Sequence, residues 1–132
     1  MSLKLHLKAG ERIIIGGAVI CNGTSAATLT IENNIPILRE KDILTEDQAN
    51  THCKRIYLII QLMYLGEVPN VDLAQLYGEL VTELLTAVPS MKDLISSISG
   101  YILNGKYYQA LKQAQLLIQY EEELLNHASE PS

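Results

Sequence analysis

Ile35-Pro36-Ile37-Leu38-Arg39-Glu40-Lys41-Asp42-Ile43-Leu44-Thr45-Glu46-Asp47-Gln48 is the stretch where this chain changes character, and its reading decides the fold. Upstream of it, apolar residues recur at every second position or in short β-branched runs. Downstream they recur at intervals of three and four, the helical period. Pro36 confines residues 35–39 to a sheet edge or the start of a strand, because proline has no N–H to give a ladder. Thr45 and Gln48 have the form of a capping box, in which hydroxyl and amide side chains satisfy each other's backbone N–H groups. A helix is therefore expected from Thr45 to about Leu65, stopped by Gly66 with Pro69 beyond it.

Working back from residue 44, the chain reads as five short strands. Leu3, Leu5 and Leu7 alternate with Lys4, His6 and Lys8, which makes a half-buried strand. Ala9-Gly10-Glu11 turns the chain. Residues 12–15, 18–21 and 28–31 are β-branched or small-residue runs, separated by Gly16-Gly17 and by Asn22-Gly23, the latter a hairpin signal. Glu32-Asn33-Asn34 makes the last turn before Ile35. The expectation is a small antiparallel sheet or barrel over residues 1–44, too small to be comfortable alone.

Working forward, residues 45–132 read as an α-helical domain of about four helices. Leu73, Leu76, Tyr77, Leu80, Val81, Leu84, Leu85 and Val88 form one stripe, ended by Pro89. Ser90, with Asp93 three residues on, is expected to cap a third helix carrying Met91, Leu94, Ile95, Ile98 and Ile102, closed by Asn104-Gly105. The fourth runs from about residue 106 to 126 with Tyr107, Ala110, Leu111, Ala114, Leu117, Ile118, Leu124 and Leu125 on one side. The fold class is α+β, a five-stranded sheet followed by a bundle packed on it.

Composition narrows the function. The 132 residues are 48% hydrophobic and 19% charged, the range of a globular domain rather than a disordered chain. Apolar runs such as residues 57–60 are far shorter than a membrane span, and the alternating N-terminus is no signal peptide, so a cytoplasmic protein without a membrane partner is expected. Cys21 and Cys53 form no CxxC and read as free thiols. The net charge of −5 is uneven: residues 1–55 hold seven Lys or Arg against six acids, and the remainder three against nine. A polyanion would meet the first part. There is no Phe or Trp, and none of the seven tyrosines precedes Tyr57, which excludes an N-terminal base-stacking platform of the RRM or OB kind.

Catalytic chemistry lacks its ingredients. His6, His52 and His127 are not at ligand spacing, and His52 and Cys53 point about 100° apart on a helix. Gly16-Gly17 has no Lys-Ser/Thr behind it and is a turn rather than a phosphate cradle. No enzyme activity, metal or cofactor is expected.

The run Leu3-Lys4-Leu5-His6-Leu7-Lys8-Ala9-Gly10-Glu11-Arg12, the hairpin residues 17–23, the segment 31–44 and Ala49-Asn50-Thr51 with Arg55-Ile56-Tyr57 resemble the FlbT family of flagellin post-transcriptional regulators. That resemblance implies a regulator binding the 5′ leader of flagellin mRNA and lowering its translation and stability. It also implies a setting that includes flagellin and a companion protein, FlaF. The strand order and Leu38-Arg39-Glu40-Lys41-Asp42-Ile43 are, in addition, similar to the carbon-storage regulator (CsrA) family, whose first and last strands hold RNA. By that likeness Arg39 takes the key arginine role, with Lys4, Leu5, His6 and Lys8 on the first strand beside it and Arg12 and Lys41 adding charge. Arginine offers a planar fork to a guanine edge or phosphate, and lysine a point charge. An ion pair of Arg39 with Glu11, Glu40 or Asp42 is the purely structural alternative. A protein-binding module, with flagellin or a secretion protein docked on the helices, is the alternative function, and a homo-oligomer is left open.

Overall fold

The computed structural model describes residues 2–66 and 68–129. Met1, which begins the N-terminal alternation, and the last three residues of the expected helical domain lie outside the described residues, as does Glu67. Five strands come first: β1 (Leu3–Leu7), β2 (Arg12–Ile15), β3 (Ala18–Cys21), β4 (Ala27–Ile31) and β5 (Ile37–Arg39). A 3-10 turn (Glu40–Asp42) follows, and then α1 (His52–Leu65), α2 (Asn70–Ala87), a 3-10 turn (Pro89–Met91), α3 (Lys92–Leu103) and α4 (Tyr107–Ser129). The class is α+β, and the chain divides into two compact units, Met1–Ile43 and Leu44–Ser132.

The strands of the first unit do not close into one barrel. They form two antiparallel sheets, β1-β4 and β3-β2-β5. The reason lies in the two glycine turns. Gly16 and Gly17, at φ 57° and 87°, supply the left-handed pair that a two-residue hairpin between β2 and β3 requires. A Cβ on Gly16 would come within 2.3 Å of Ile35 Cδ1, so that side chain would have to shift, and the positive φ itself strains any other residue there. Asn22-Gly23 is not a hairpin turn. The Asn22 side-chain amide donates to the carbonyls of Lys8 (2.7 Å) and Ser25 (3.0 Å), which carries the chain across to pair β4 with β1 instead of β3.

The two sheets of this unit enclose its core. Leu5, Leu7 and Ile13 are buried and pack with Ile15, Leu29, Ile31 and Ile37. The intervening residues Lys4, His6, Thr28 and Thr30 are exposed, as the two-residue period requires.

In the second unit the helix after residue 44 starts later than expected. The Thr45 and Gln48 box does form, with Gln48 N–H donating to Thr45 Oγ1 at 3.3 Å and Thr45 N–H to Gln48 Oε1 at 2.9 Å. It closes only one turn. Gln61, a buried polar side chain, holds the Leu44 backbone with both its amide atoms (2.9 and 3.0 Å), and Thr51 is the working N-cap, accepting from Lys54 N–H at 3.2 Å. Glu121 of α4 completes that cap by accepting from the Thr51 hydroxyl and, at 3.3 Å, from Cys53 N–H. Helix α1 ends at Gly66 in the left-handed conformation, as read from the sequence.

Helix α4 packs on α1 and α3, and α1 on α2. Ala110, Leu111, Ala114 and Leu117 are buried in this bundle, whereas Leu124 and Leu125, expected on the same stripe, are exposed. Ser90 caps no helix. A 3-10 turn precedes α3, and the Ser90 hydroxyl instead bonds to the Tyr120 hydroxyl at 2.9 Å.

Candidate nucleic-acid interface

The strand unit carries an open groove of about 560 Å³ lined by His6, Lys8, Ala9, Gly10, Glu11, Arg39, Glu40 and Lys41. Its floor is a turn. Gly10, at φ 72°, lets the chain reverse so that Glu11 N–H donates to the Lys8 carbonyl at 3.1 Å and Lys8 N–H donates to Glu11 Oε1 at 2.9 Å. The other carboxylate oxygen, Oε2, accepts from Arg39 Nη2 at 3.2 Å. The same nitrogen donates to the His6 backbone carbonyl. Arg39 sits opposite Ile13 in the ladder, so its side chain leaves the inner face of β3-β2-β5 and ties that sheet to β1. The ion pair of Arg39 with Glu11, one of the three structural partners open to it, is formed.

Electrostatics follow from this arrangement. The Lys8 amide and then the Arg39 guanidinium hold the Glu11 carboxyl below the usual carboxylate range, against partial desolvation that raises it. The groove thus presents three cations, Lys8, Arg39 and Lys41, against two carboxylates, Glu11 and Glu40. It is locally positive in a chain of net charge −5. Arg39 is about one-third exposed and Glu11 less than half as much, so the guanidinium keeps a solvent-facing edge while the carboxylate is mostly covered.

The seven residues singled out from the sequence are distributed unequally. His6, Lys8, Arg39 and Lys41 line the groove together. Lys4 is exposed on the same strand face as His6, opposite Thr30. Leu5 is buried in the sheet core, and Arg12, opposite Cys21, does not line the groove. His6 Nδ1 bonds to Thr28 Oγ1 at 3.0 Å, which brings a β4 residue to the rim that strand order alone did not identify. Glu40 was also missed as a groove residue. Its signal was present as the charge alternation Arg39-Glu40-Lys41-Asp42, which a 3-10 turn spreads around one bend.

The helical unit offers less chemistry. Cys53 is buried against Met91, and burial, followed by the nearby Glu121 carboxylate, pushes its thiol far above the ordinary range, so it is inert. Burial likewise raises the Tyr77 hydroxyl, whose bond to Ser99 at 2.8 Å joins α2 to α3. Among the described residues no cluster of three His, Cys, Asp or Glu could hold a metal, and no helix is long and apolar enough to cross a membrane.

Residues 3–125 match the family model described as flagellar protein FlbT. The chain is 50% identical over 125 residues to the probable flagellum biosynthesis repressor protein FlbT 1 of Bradyrhizobium diazoefficiens, an overlap of 94% of this chain and 85% of that one. It is 47% identical over 127 residues to the probable flagellum biosynthesis repressor protein FlbT of Rhodopseudomonas palustris (96% and 99%). It is 37% identical over 132 residues to the flagellum biosynthesis repressor protein FlbT of Caulobacter vibrioides (98% and 93%). No solved structure matches significantly, so the likeness to the carbon-storage regulators gains no structural counterpart. With all five strands, the groove and all but the last turn of α4 inside the matched residues, the chain belongs to the FlbT family.

Proposed function

We propose that this protein represses flagellum biosynthesis after transcription by holding the 5′ leader of flagellin mRNA in the groove of its strand unit. The observation that carries the reading is the meeting of His6, Lys8, Arg39 and Lys41 around one open groove, in a family whose relatives are named as repressors of flagellum biosynthesis. Lysines supply phosphate contacts, and the solvent-facing edge of Arg39 supplies a planar donor for a base or phosphate. Glu11 and Glu40 place acceptors beside them, which suits the exocyclic amino groups of unpaired bases. No Tyr, Phe or Trp lines the groove, so recognition rests mainly on hydrogen bonds and charge. A bound leader is withheld from ribosomes.

The test is equilibrium binding of the purified full chain to its own flagellin leader and to a scrambled RNA of equal length. Preference for the leader, with affinity for both RNAs lowered in a Lys8→Ala/Lys41→Ala variant, is the expected result. Equal binding to both RNAs, or none, refutes it.

A second reading has one observation in its favour. Leu116, Leu124 and Leu125 of α4 are exposed, and Tyr120, Glu123, Leu124, Asn126 and His127 line a hollow of about 430 Å³. Such a surface suits a protein partner, flagellin or FlaF. Because Ala110, Leu111, Ala114 and Leu117 of the same helix are core, point substitutions test it better than truncation. Leu124→Asp/Leu125→Asp should abolish co-purification with that partner, and unchanged recovery counts against this dock.

A further inference from the structure

The two edges of the β3-β2-β5 sheet are built differently. The β5 edge follows Pro36 and runs into Arg39-Glu40-Lys41-Asp42, and both proline and charge deter another strand from pairing. The β3 edge has no such guard. Residues 13–31 contain no Asp, Glu, Lys, Arg or His, and all four residues of β3 are exposed, Val19 by 67% and Ile20 by 37%.

Hydrogen-bond parity defines what this edge offers. The two-residue turn Gly16-Gly17 makes Ile15 and Ala18, and then Ile13 and Ile20, the pairs that exchange hydrogen bonds inside the hairpin. Asn22 N–H donating to the Glu11 carbonyl at 2.9 Å continues the same alternation. The N–H and C=O groups of Val19 and Cys21 therefore point away from β2, four backbone groups along an uncharged edge.

We infer that β3 is an interface for a second copy of this chain, the two β3 edges pairing antiparallel about a two-fold axis at Ile20. A strand edge calls for a strand as its occupant. A copy of β3 is complementary in length, twist and lack of charge, so the net charge of −5 on each chain is not concentrated at the seam. The register follows from the parity. With the axis at Ile20, Val19 stands opposite Cys21 of the partner subunit and Cys21 opposite Val19 of the partner subunit. This is the two-fold register in which all four outward groups of each copy are bonded. The two three-stranded sheets become one sheet of six strands. The inference is independent of the RNA reading.

Sedimentation equilibrium of the full chain, with Val19→Lys alongside, tests it. Wild type is expected at twice the chain mass, dissociating on dilution, and Val19→Lys should raise the dissociation constant at least about tenfold without changing circular dichroism, or Tm taken at concentrations where both chains are monomeric. The register is read separately in a Cys21→Ser background, since Cys53 is buried. Ile20→Cys should form an oxidised covalent dimer, because residues opposite each other in a non-hydrogen-bonded pair have Cα atoms about 4.5 Å apart, within disulfide reach. A wild type that stays monomeric at roughly millimolar concentration overturns the inference. So does a dimer whose affinity Val19→Lys leaves unchanged, and an Ile20→Cys chain that does not cross-link overturns the register.

Discussion

Lys8 and Lys41 give the sharpest test of the groove, because Arg39 is tied to Glu11 and to the His6 carbonyl while the two lysines line the groove without an ion pair among the described residues. Each lysine that meets a phosphate of a single-stranded RNA releases counterion, contributing about −0.7 to the slope of log affinity against log salt. Removing both should flatten the slope by about 1.4. Between about 50 and about 200 mM salt the wild type should therefore lose roughly sevenfold more affinity than Lys8→Ala/Lys41→Ala. Both side chains are exposed, so the double variant should fold as wild type does. The assay is fluorescence anisotropy of labelled leader RNA across a salt series, with circular dichroism and Tm as the folding control. A double variant with native Tm and an unchanged salt slope refutes the reasoning, because the phosphates would then be held by other residues.

Three further outcomes are expected. Arg39→Lys keeps the charge, but its shorter side chain draws the donor back from the point where Arg39 Nη2 meets both Glu11 and the His6 carbonyl, so it should cost about 1 kcal/mol, a fall in Tm of roughly 3–6 °C by calorimetry, while leaving the salt slope near that of wild type. Glu121→Ala strips the acceptor from the Thr51 hydroxyl and the Cys53 amide at the start of α1 and should cost about 1–2 kcal/mol, read as a lower urea midpoint at constant m-value. The Glu11 carboxyl is held below its ordinary range in the folded chain, so its contribution to stability is full above the unfolded-state pKa and disappears as pH falls through the folded value. Thermal scans taken downward from about pH 7 should show a shallower acid limb for Glu11→Gln than for wild type.

Period and punctuation made much of this fold legible. The Leu3, Leu5, Leu7 alternation placed β1, whose buried face is Leu5 and Leu7 with Leu3 left exposed, and Gly66 marked the end of α1, because each of these signals acts within a few residues. Asn22-Gly23 misled for the opposite reason. As a dipeptide it favours a hairpin, yet the Asn22 side chain finds the Lys8 carbonyl fourteen residues away and the chain crosses between sheets instead. Thr45 and Gln48 likewise form their box, but Gln61 and Glu121, one a turn of α1 away from its own end and the other on α4, decide where the helix begins. At the groove, Arg39 and Lys8 could be picked out as charges on strands. Their common meeting point at Glu11 depends on how the two sheets stack, which no local pattern carries.

The balance of charge in the groove bears on how a leader could be told from other RNA. A surface bearing only cations binds any phosphate chain, and specificity then has to be added against a large nonspecific background. Here two carboxylates offset two of the three cations, and the chain as a whole is acidic, so the electrostatic gain for an arbitrary RNA is small. On the proposed reading, affinity then depends on base edges that satisfy the fixed donors and acceptors around the Lys8 to Glu11 turn. A base that leaves the Arg39 fork or the Glu40 carboxylate unmatched is penalised by the desolvation of that group. Arg39 serves both ends of this argument. Its bond to the His6 carbonyl locks β1 against the other sheet, and the same lock holds its remaining donors in one orientation, so that little ordering is left to occur when RNA arrives. The strut that stabilises the strand unit is in this way also what would make its groove selective.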